Sequence, residues 1–171
     1  NMTLRKWDFG GYTNITQALV AGPMNVQLGA TLTIDPGVVL KMGSFTYHPW
    51  NHTFNVYGSL VADGTPAEPI VFTSIRDDSA GNPADTNTDG AGTVPAKNNW
   101  RWFYFDEVSD DLTAILDNCE LRYGSSSVNN YGLVYMTSAS PTISNCLFEQ
   151  GGHGIATFGT SAPTIDTCVF D

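Results

Sequence analysis

An eight-residue phrase recurs at a spacing of 22 residues at the end of this chain. Pro-Thr-Ile-x-x-Cys-x-Phe stands at residues 141–148 and again at 163–170. Ile143 and Ile165, Cys146 and Cys168, Phe148 and Phe170, and Gly132 and Gly154 all keep that spacing. An earlier copy, ILDNCELRY, sets Leu116, Cys119 and Leu121 in register with Ile143, Cys146 and Phe148. It lies 27 residues back, so about five extra residues leave the repeat, and GSSSVNN is the polar stretch that accommodates them. The first half carries a fainter copy, LTIDPGVVLKM against FNVYGSLVADG, matching Leu32 with Phe54, Ile34 with Val56 and Val39 with Leu60.

A repeat of this length constrains the fold before any local propensity does. Each copy holds short alternating stretches, such as Thr142-Ile143-Ser144 and Cys146-Leu147-Phe148. No window of ten or more residues carries the period of an amphipathic helix. Alternation sends every second side chain inward. In TISNCLF the inward set is Ile143, Cys146 and Phe148, yet Ile143 and Cys146 are three residues apart, so the chain bends between them. Asn145 supplies the bend, because asparagine tolerates the left-handed conformation. Asn118 and Thr167 hold the same place in the neighbouring copies. One strand–bend–strand unit cannot close a core alone. Coils stacked about 4.8 Å apart can, with equivalent side chains piled into ladders.

Five stretches carry a resemblance to a known family. They are LTIDPGVVLKMG, GSLVADGTPAEPIVFTSIRDD, the Asp/Asn/Gly-rich loop with Trp100 after it, LDNCELRYG and SPTISNCLF. Together they resemble the right-handed parallel β-helix proteins of the pectate-lyase-like superfamily, in particular repeat regions of secreted or surface-attached bacterial and archaeal proteins. The resemblance implies an all-β chain, a right-handed parallel β-helix of about five or six coils with one long inserted loop. Such repeats serve enzymes, adhesins and stalks alike, so the fold does not name the function.

Composition narrows the partners. Formal charge is −10, with seven Lys plus Arg against 17 Asp plus Glu. Such a surface repels nucleic acid and an anionic bilayer alike. No run approaches the roughly 18 apolar residues of a membrane span. Abundant Gly, Thr, Ser and Asn suit an extracellular or cell-surface β-protein with many tight turns. The chain opens Asn1-Met2-Thr3, which fits residues 1–171 being one module of a longer protein. Three N-x-T sequons, at Asn1, Asn14 and Asn51, are what an Asn- and Thr-rich chain produces by composition.

Residues 75–100 break the repeat and read as a long polar insert. Inside it, Asp85-Thr86-Asn87-Thr88-Asp89-Gly90 spells D-x-N-x-D-G, the opening half of an EF-hand-type loop. Calcium wants several hard oxygens, and alternate Asp and Asn side chains converge once a glycine permits the turn. Asp77 and Asp78 stand a few residues upstream and complete a candidate shell. The position of the closing Glu is Ala96. A structural Ca²⁺ held by Asp85, Asn87, Asp89, Asp77 and Asp78 is weighed against a plain solvated acidic loop.

The strand after the insert, NNWRWFYFDE, turns Phe103 and Phe105 inward by the family's parity and Trp102 and Tyr104 outward. Outward rings stack on sugars or form a protein contact. The alternative is that the insert folds back over them. FTYHPWNHTF, with His48, Trp50 and His52, reads as a bulging turn, because Pro49 denies it a helix.

Catalysis finds little support. Asn87-Thr88-Asp89, Asp77-Asp78 and Gly152-His153-Gly154 echo the motifs of polygalacturonase-type hydrolases, but in the wrong order and without a downstream Arg-Ile-Lys. A lyase needs a Lys or Arg base and tolerates poorly a −10 protein facing a polyanion. His153 aligns with Tyr131 of the preceding coil, an outward place beside a bend. Cys119, Cys146 and Cys168 fall on an inward ladder, where free thiols act as small hydrophobes. No catalytic residue is assigned.

The resulting expectation is a non-enzymatic structural or adhesive module at the cell surface, with a calcium-stabilised loop. Its partners are other copies of itself, cell-surface proteins or polysaccharide. The last rung, Phe170-Asp171, has no polar cap, which suits a continuing chain or an end-to-end neighbour. A carbohydrate-binding module and a polysaccharide lyase or hydrolase are the alternatives.

Overall fold

A computed structural model describes residues 1–19, 22–43, 52–125 and 131–171. His48, Trp50, the Asn51 sequon and residues 126–130 of the GSSSVNN stretch lie outside them. Among the described residues there is no α-helix. The first coil is β1 (Met2–Leu4), β2 (Gln17–Leu19) and β3 (Met24–Val26), and the second β4 (Thr31–Ile34), β5 (Val39–Met42) and β6 (Phe54–Val56). The third is β7 (Ser59–Asp63), β8 (Ile70–Ser74) and β9 (Phe103–Phe105), and the fourth β10 (Ile115–Asp117), β11 (Cys119–Arg122) and β12 (Val134–Thr137). The fifth is β13 (Thr142–Ser144), β14 (Leu147–Glu149) and β15 (Ile155–Phe158), followed by β16 (Thr164–Asp166) and β17 (Val169–Phe170) of a sixth.

Every third strand pairs in parallel with its counterpart, giving a first sheet β1-β4-β7-β10-β13-β16, a second β2-β5-β8-β11-β14-β17 and a third β3-β6-β9-β12-β15. The chain is a parallel β-helix. Its core is a set of ladders. On the first sheet Leu4, Ile34, Ala62, Leu116, Ile143 and Ile165 stand in unbroken register. On the second, Leu40, Phe72, Leu121, Phe148 and Phe170 do so. On the third, Met24, Phe54, Phe103, Val134 and Ile155 do so. Each fully buried aliphatic or aromatic side chain contributes about 1.5–3 kcal/mol of transfer free energy.

The bends fall where asparagine was expected. Asn118, Asn145 and Thr167 have φ of 47°, 51° and 51°. Each turns the chain from the first sheet to the second, and Cys119 and Cys146 follow it into the core.

Two registers differ from the expected ones. Leu32 pairs with Leu60 and Ile34 with Ala62, while Phe54 lies on the third sheet between Met24 and Phe103. Both segments alternate with period two, so alternation alone does not say which sheet a strand joins. On the third sheet Val134 opposes Ile155, a 21-residue step, so Gly154 opposes Leu133 and not Gly132. The corner after β15 is one residue longer than the corner after β12, which restores the 22-residue step in the next strands.

The insert leaves after β8 and returns at Trp100, whose indole is fully buried and donates from Nε1 to Arg122 O at 2.7 Å. In between, the loop lies against the outside of the second sheet. Thr16 N donates to Asn82 O at 3.1 Å, and Asn82 N donates to Thr16 Oγ1 at 2.6 Å. Gly81 makes this approach possible: its φ is +89°, and a Cβ there would stand 2.1 Å from Thr16 Oγ1. Beneath the loop, Lys41 on β5 is fully buried and donates from Nζ to Asp77 O and Ala84 O.

Candidate calcium site and aromatic face

The D-x-N-x-D-G segment folds into a tight acidic turn. Asp85 caps it, accepting from Asp89 N at 3.1 Å and from Gly90 N at 3.0 Å. Gly90, at φ +66°, takes the left-handed conformation the turn needs. Asn87 Nδ2 donates to Asp89 Oδ2 at 2.8 Å and to Thr93 Oγ1 at 3.1 Å, and Thr93 Oγ1 donates to Asp89 Oδ2 at 2.6 Å. This turn brings Asp85 and Asp89 to Asp78, with one carboxylate oxygen of each lying within 4.8 Å of the other two.

Lys41 relieves the charge of the cluster only in part. Burial, then the neighbouring Asp85, pushes the Asp78 carboxyl above its ordinary value, with Lys41 opposing and Asp89 adding to the rise. Asp78 Oδ1 and Asn87 Oδ1 are buried and accept no hydrogen bond from the described residues. Oxygens without donors beside three converging carboxylates are the donor set a hard divalent cation takes. The residues fit calcium: every candidate ligand is oxygen, and water can supply the rest of a six- to eight-fold shell.

Asp77 is turned away from the cluster. Its Oδ2 accepts from Thr73 Oγ1 at 2.5 Å and its Oδ1 from Ser79 N at 3.0 Å and Ser79 Oγ at 2.5 Å. Burial alone would raise its pKa, but Ser79, Thr73 and the Arg122 guanidinium outweigh burial and hold it below the usual carboxylate value. Asp77 therefore anchors the insert to the sheet. Of the five residues suggested by spacing, Asp78, Asp85 and Asp89 converge, Asn87 adjoins them, and Asp77 does not.

The third sheet carries a second feature. Trp102 and Tyr104 lie on its outer side, as parity suggests, and the insert's anchors to Thr16, Lys41 and Thr73 are on the second sheet instead. Trp102 is nonetheless only 8% exposed. Its ring centroid is 4.8 Å from Tyr131 and 6.2 Å from Tyr135, and the Arg101 guanidinium sits 4.7 Å over it. Tyr104 stacks on Tyr135 at 4.9 Å with 19° between planes. Tyr57 and Phe158 extend the cluster below and above, 6.4 Å from Tyr104 and 5.2 Å from Tyr135. Tyr104 donates its hydroxyl to Asp106 Oδ2 at 2.8 Å, and burial with that contact pushes its pKa up to about 12.

Tyr57, Tyr135 and Phe158 were not singled out from the sequence. The signal for Tyr135 was present: it stands one coil above Tyr104 in register. Within this cluster only Tyr104 and Tyr135 stack face to face; Tyr57, Trp102 and Phe158 meet their neighbours edge to face. His153 is exposed at the corner before β15, and its backbone N donates to Ser125 Oγ at 3.3 Å.

Compared with protein-family models, curated proteins and solved structures, the chain matches none.

Proposed function

We propose that this chain is a non-enzymatic structural and adhesive β-helix module of the pectate-lyase-like kind. It works outside the cell, where a calcium ion stabilises the folded insert, and it engages copies of itself or other surface proteins. The observation that carries the calcium reading is the convergence of Asp78, Asp85 and Asp89 within 4.8 Å beside the orphaned oxygens of Asp78 and Asn87. Two like charges about 4 Å apart repel by about 4 kcal/mol at an effective dielectric of 20, and a divalent cation reverses that sign. Calcium is abundant outside cells, where modules bind it with dissociation constants of about 10⁻⁴–10⁻³ M.

Titration calorimetry and thermal melting test this reading. One calcium per chain is expected, with stabilisation of about 2.7 kcal/mol at a hundredfold excess over the dissociation constant. Asp85→Asn and Asp89→Asn each remove the response. A wild-type chain whose melting is indifferent to both calcium and chelator overturns the calcium reading.

A second reading, a carbohydrate-binding module, draws on the continuity of the aromatic cluster from Tyr57 to Phe158, the latter 43% exposed. It expects glycan retention that Tyr104→Ala or Phe158→Ala abolishes in a folded chain. A glycan array with no retained ligand rejects it.

A further inference from the structure

The three thiols form a column that nothing above uses. Strand β11 pairs with β14 in the register Glu120–Leu147, and β14 with β17 in the register Leu147–Val169, so Cys119, Cys146 and Cys168 stand one above another. Their sulfurs are oriented alike. Cys119 Sγ donates toward Asp117 O at 3.4 Å and Ala62 O at 3.5 Å; Cys146 Sγ toward Ser144 O at 3.1 Å and Leu116 O at 3.4 Å. Each thiol thus meets the carbonyl two residues back in its own coil and one in the coil below. Repeated contacts of this kind place successive sulfurs one strand spacing apart, about 4.8 Å.

We propose that Cys119 and Cys146 form a two-coordinate site for a soft monovalent cation of the Cu(I) class. Zinc–sulfur bonds run about 2.3 Å, and two bonds of about that length laid in line span about 4.6 Å, close to the strand spacing that separates the two thiols. Both thiols are 1% exposed, and the columns beside them are Leu116–Ile143 and Leu121–Phe148. The oxygens beside the sulfurs are neutral backbone carbonyls, so the two side-chain ligands are both sulfur, and a sulfur pair selects a soft ion over a hard one. Zinc needs four ligands and finds two, since Cys168 lies on the far side of Cys146 from Cys119.

The charge balance suits the core. Cu(I) binds the Cys146 sulfur as thiolate and the Cys119 sulfur through a lone pair of its thiol, one proton leaves, and the buried site stays neutral.

The reduced chain is titrated without oxygen with Cu(I) delivered from a coloured competing chelator. One tightly held copper per chain is expected, with X-ray absorption showing two sulfur neighbours and a raised melting temperature, because the ion binds the native state. Cys119→Ser and Cys146→Ser each weaken binding at least tenfold, and Cys168→Ser leaves it unchanged. Cys146→Val serves where serine unfolds the chain, since Val38 and Ile70 fill the same core column two and one coils before Cys119. Copper that is not retained, that shows three or more ligands, that binds only the heated chain, or that is lost equally in Cys168→Ser overturns the site. Calcium chelation leaves the copper stoichiometry and the two sulfur neighbours unchanged, so this result and the calcium result are read apart.

Discussion

Lys41 Nζ donates to the backbone carbonyl of Asp77 at 2.6 Å, tying β5 to a point 36 residues further along the chain. A second bond from the same ammonium reaches Ala84 O. A long polar insert has little apolar surface with which to hold itself down. One buried cation, satisfied by two carbonyls and flanked by Asp77, Asp78 and Asp85, supplies that hold from beneath. The same ammonium offsets part of the acidic charge that calcium is proposed to complete.

Replacing Lys41 by methionine keeps the volume and removes the charge. It leaves two carbonyl oxygens under the insert without a donor, at a cost of about 1–3 kcal/mol each before relaxation. Chemical denaturation is expected to show a loss of about 2–3 kcal/mol. Trypsin is expected to cut at Arg76 and Lys97, near the two ends of the insert, faster than in the parent chain.

Asp117 sets an acid limit on the fold. Its carboxylate accepts from Ser144 Oγ at 2.5 Å, Asn145 Nδ2 at 2.8 Å and Asn118 Nδ2 at 2.7 Å, bracing two successive bends. Burial alone would raise its pKa; these donors outweigh burial and hold it below the ordinary value of 3.8. A carboxyl depressed in the native state contributes stability that is complete above the unfolded value and is lost as pH falls through the folded one. Melting followed from pH 6 to pH 2 is expected to show that loss, and Asp117→Asn to flatten the acid limb.

Phe103 is the centre of the interior. Its ring lies 4.6 Å from Phe54, 4.7 Å from Phe72 and 5.9 Å from Trp100, joining the second and third sheets. Phe103→Ala leaves a cavity that stacked backbone cannot collapse around, and is expected to cost about 3–5 kcal/mol in equilibrium unfolding.

Thr167 is a β-branched residue at φ 51°, in the place that Asn118 and Asn145 fill two coils and one coil earlier. The left-handed conformation costs an L-residue about 1–2 kcal/mol, and less for asparagine. Thr167→Asn is expected to raise stability by about 0.5–1 kcal/mol, read as an upward shift in melting temperature.

The repeat and its contents were legible because they are local. A 22-residue spacing, a period of two on either side of Asn145 and an asparagine at the bend are all properties of neighbouring residues. They were enough to predict a stack of five or six coils, the Ile143 and Phe148 ladders and the inward thiols. The acidic turn at Asp85–Asp89 was legible for the same reason, since side chains two residues apart converge once Gly90 turns the chain.

What the tertiary structure alone decided depends on corners, whose lengths vary without leaving a periodic trace. Corner length moved Phe54 to the third sheet and set Val134 against Ile155. It laid the insert over Lys41 on the second sheet and left Trp102 to pack among Tyr131 and Tyr135 on the third. Asp77 and Asp78 are adjacent in sequence and face different partners, because one meets Thr73 and Ser79 and the other meets Asp85 and Asp89. Alternation determines which side chains point inward; only the closed stack determines what each outward one meets.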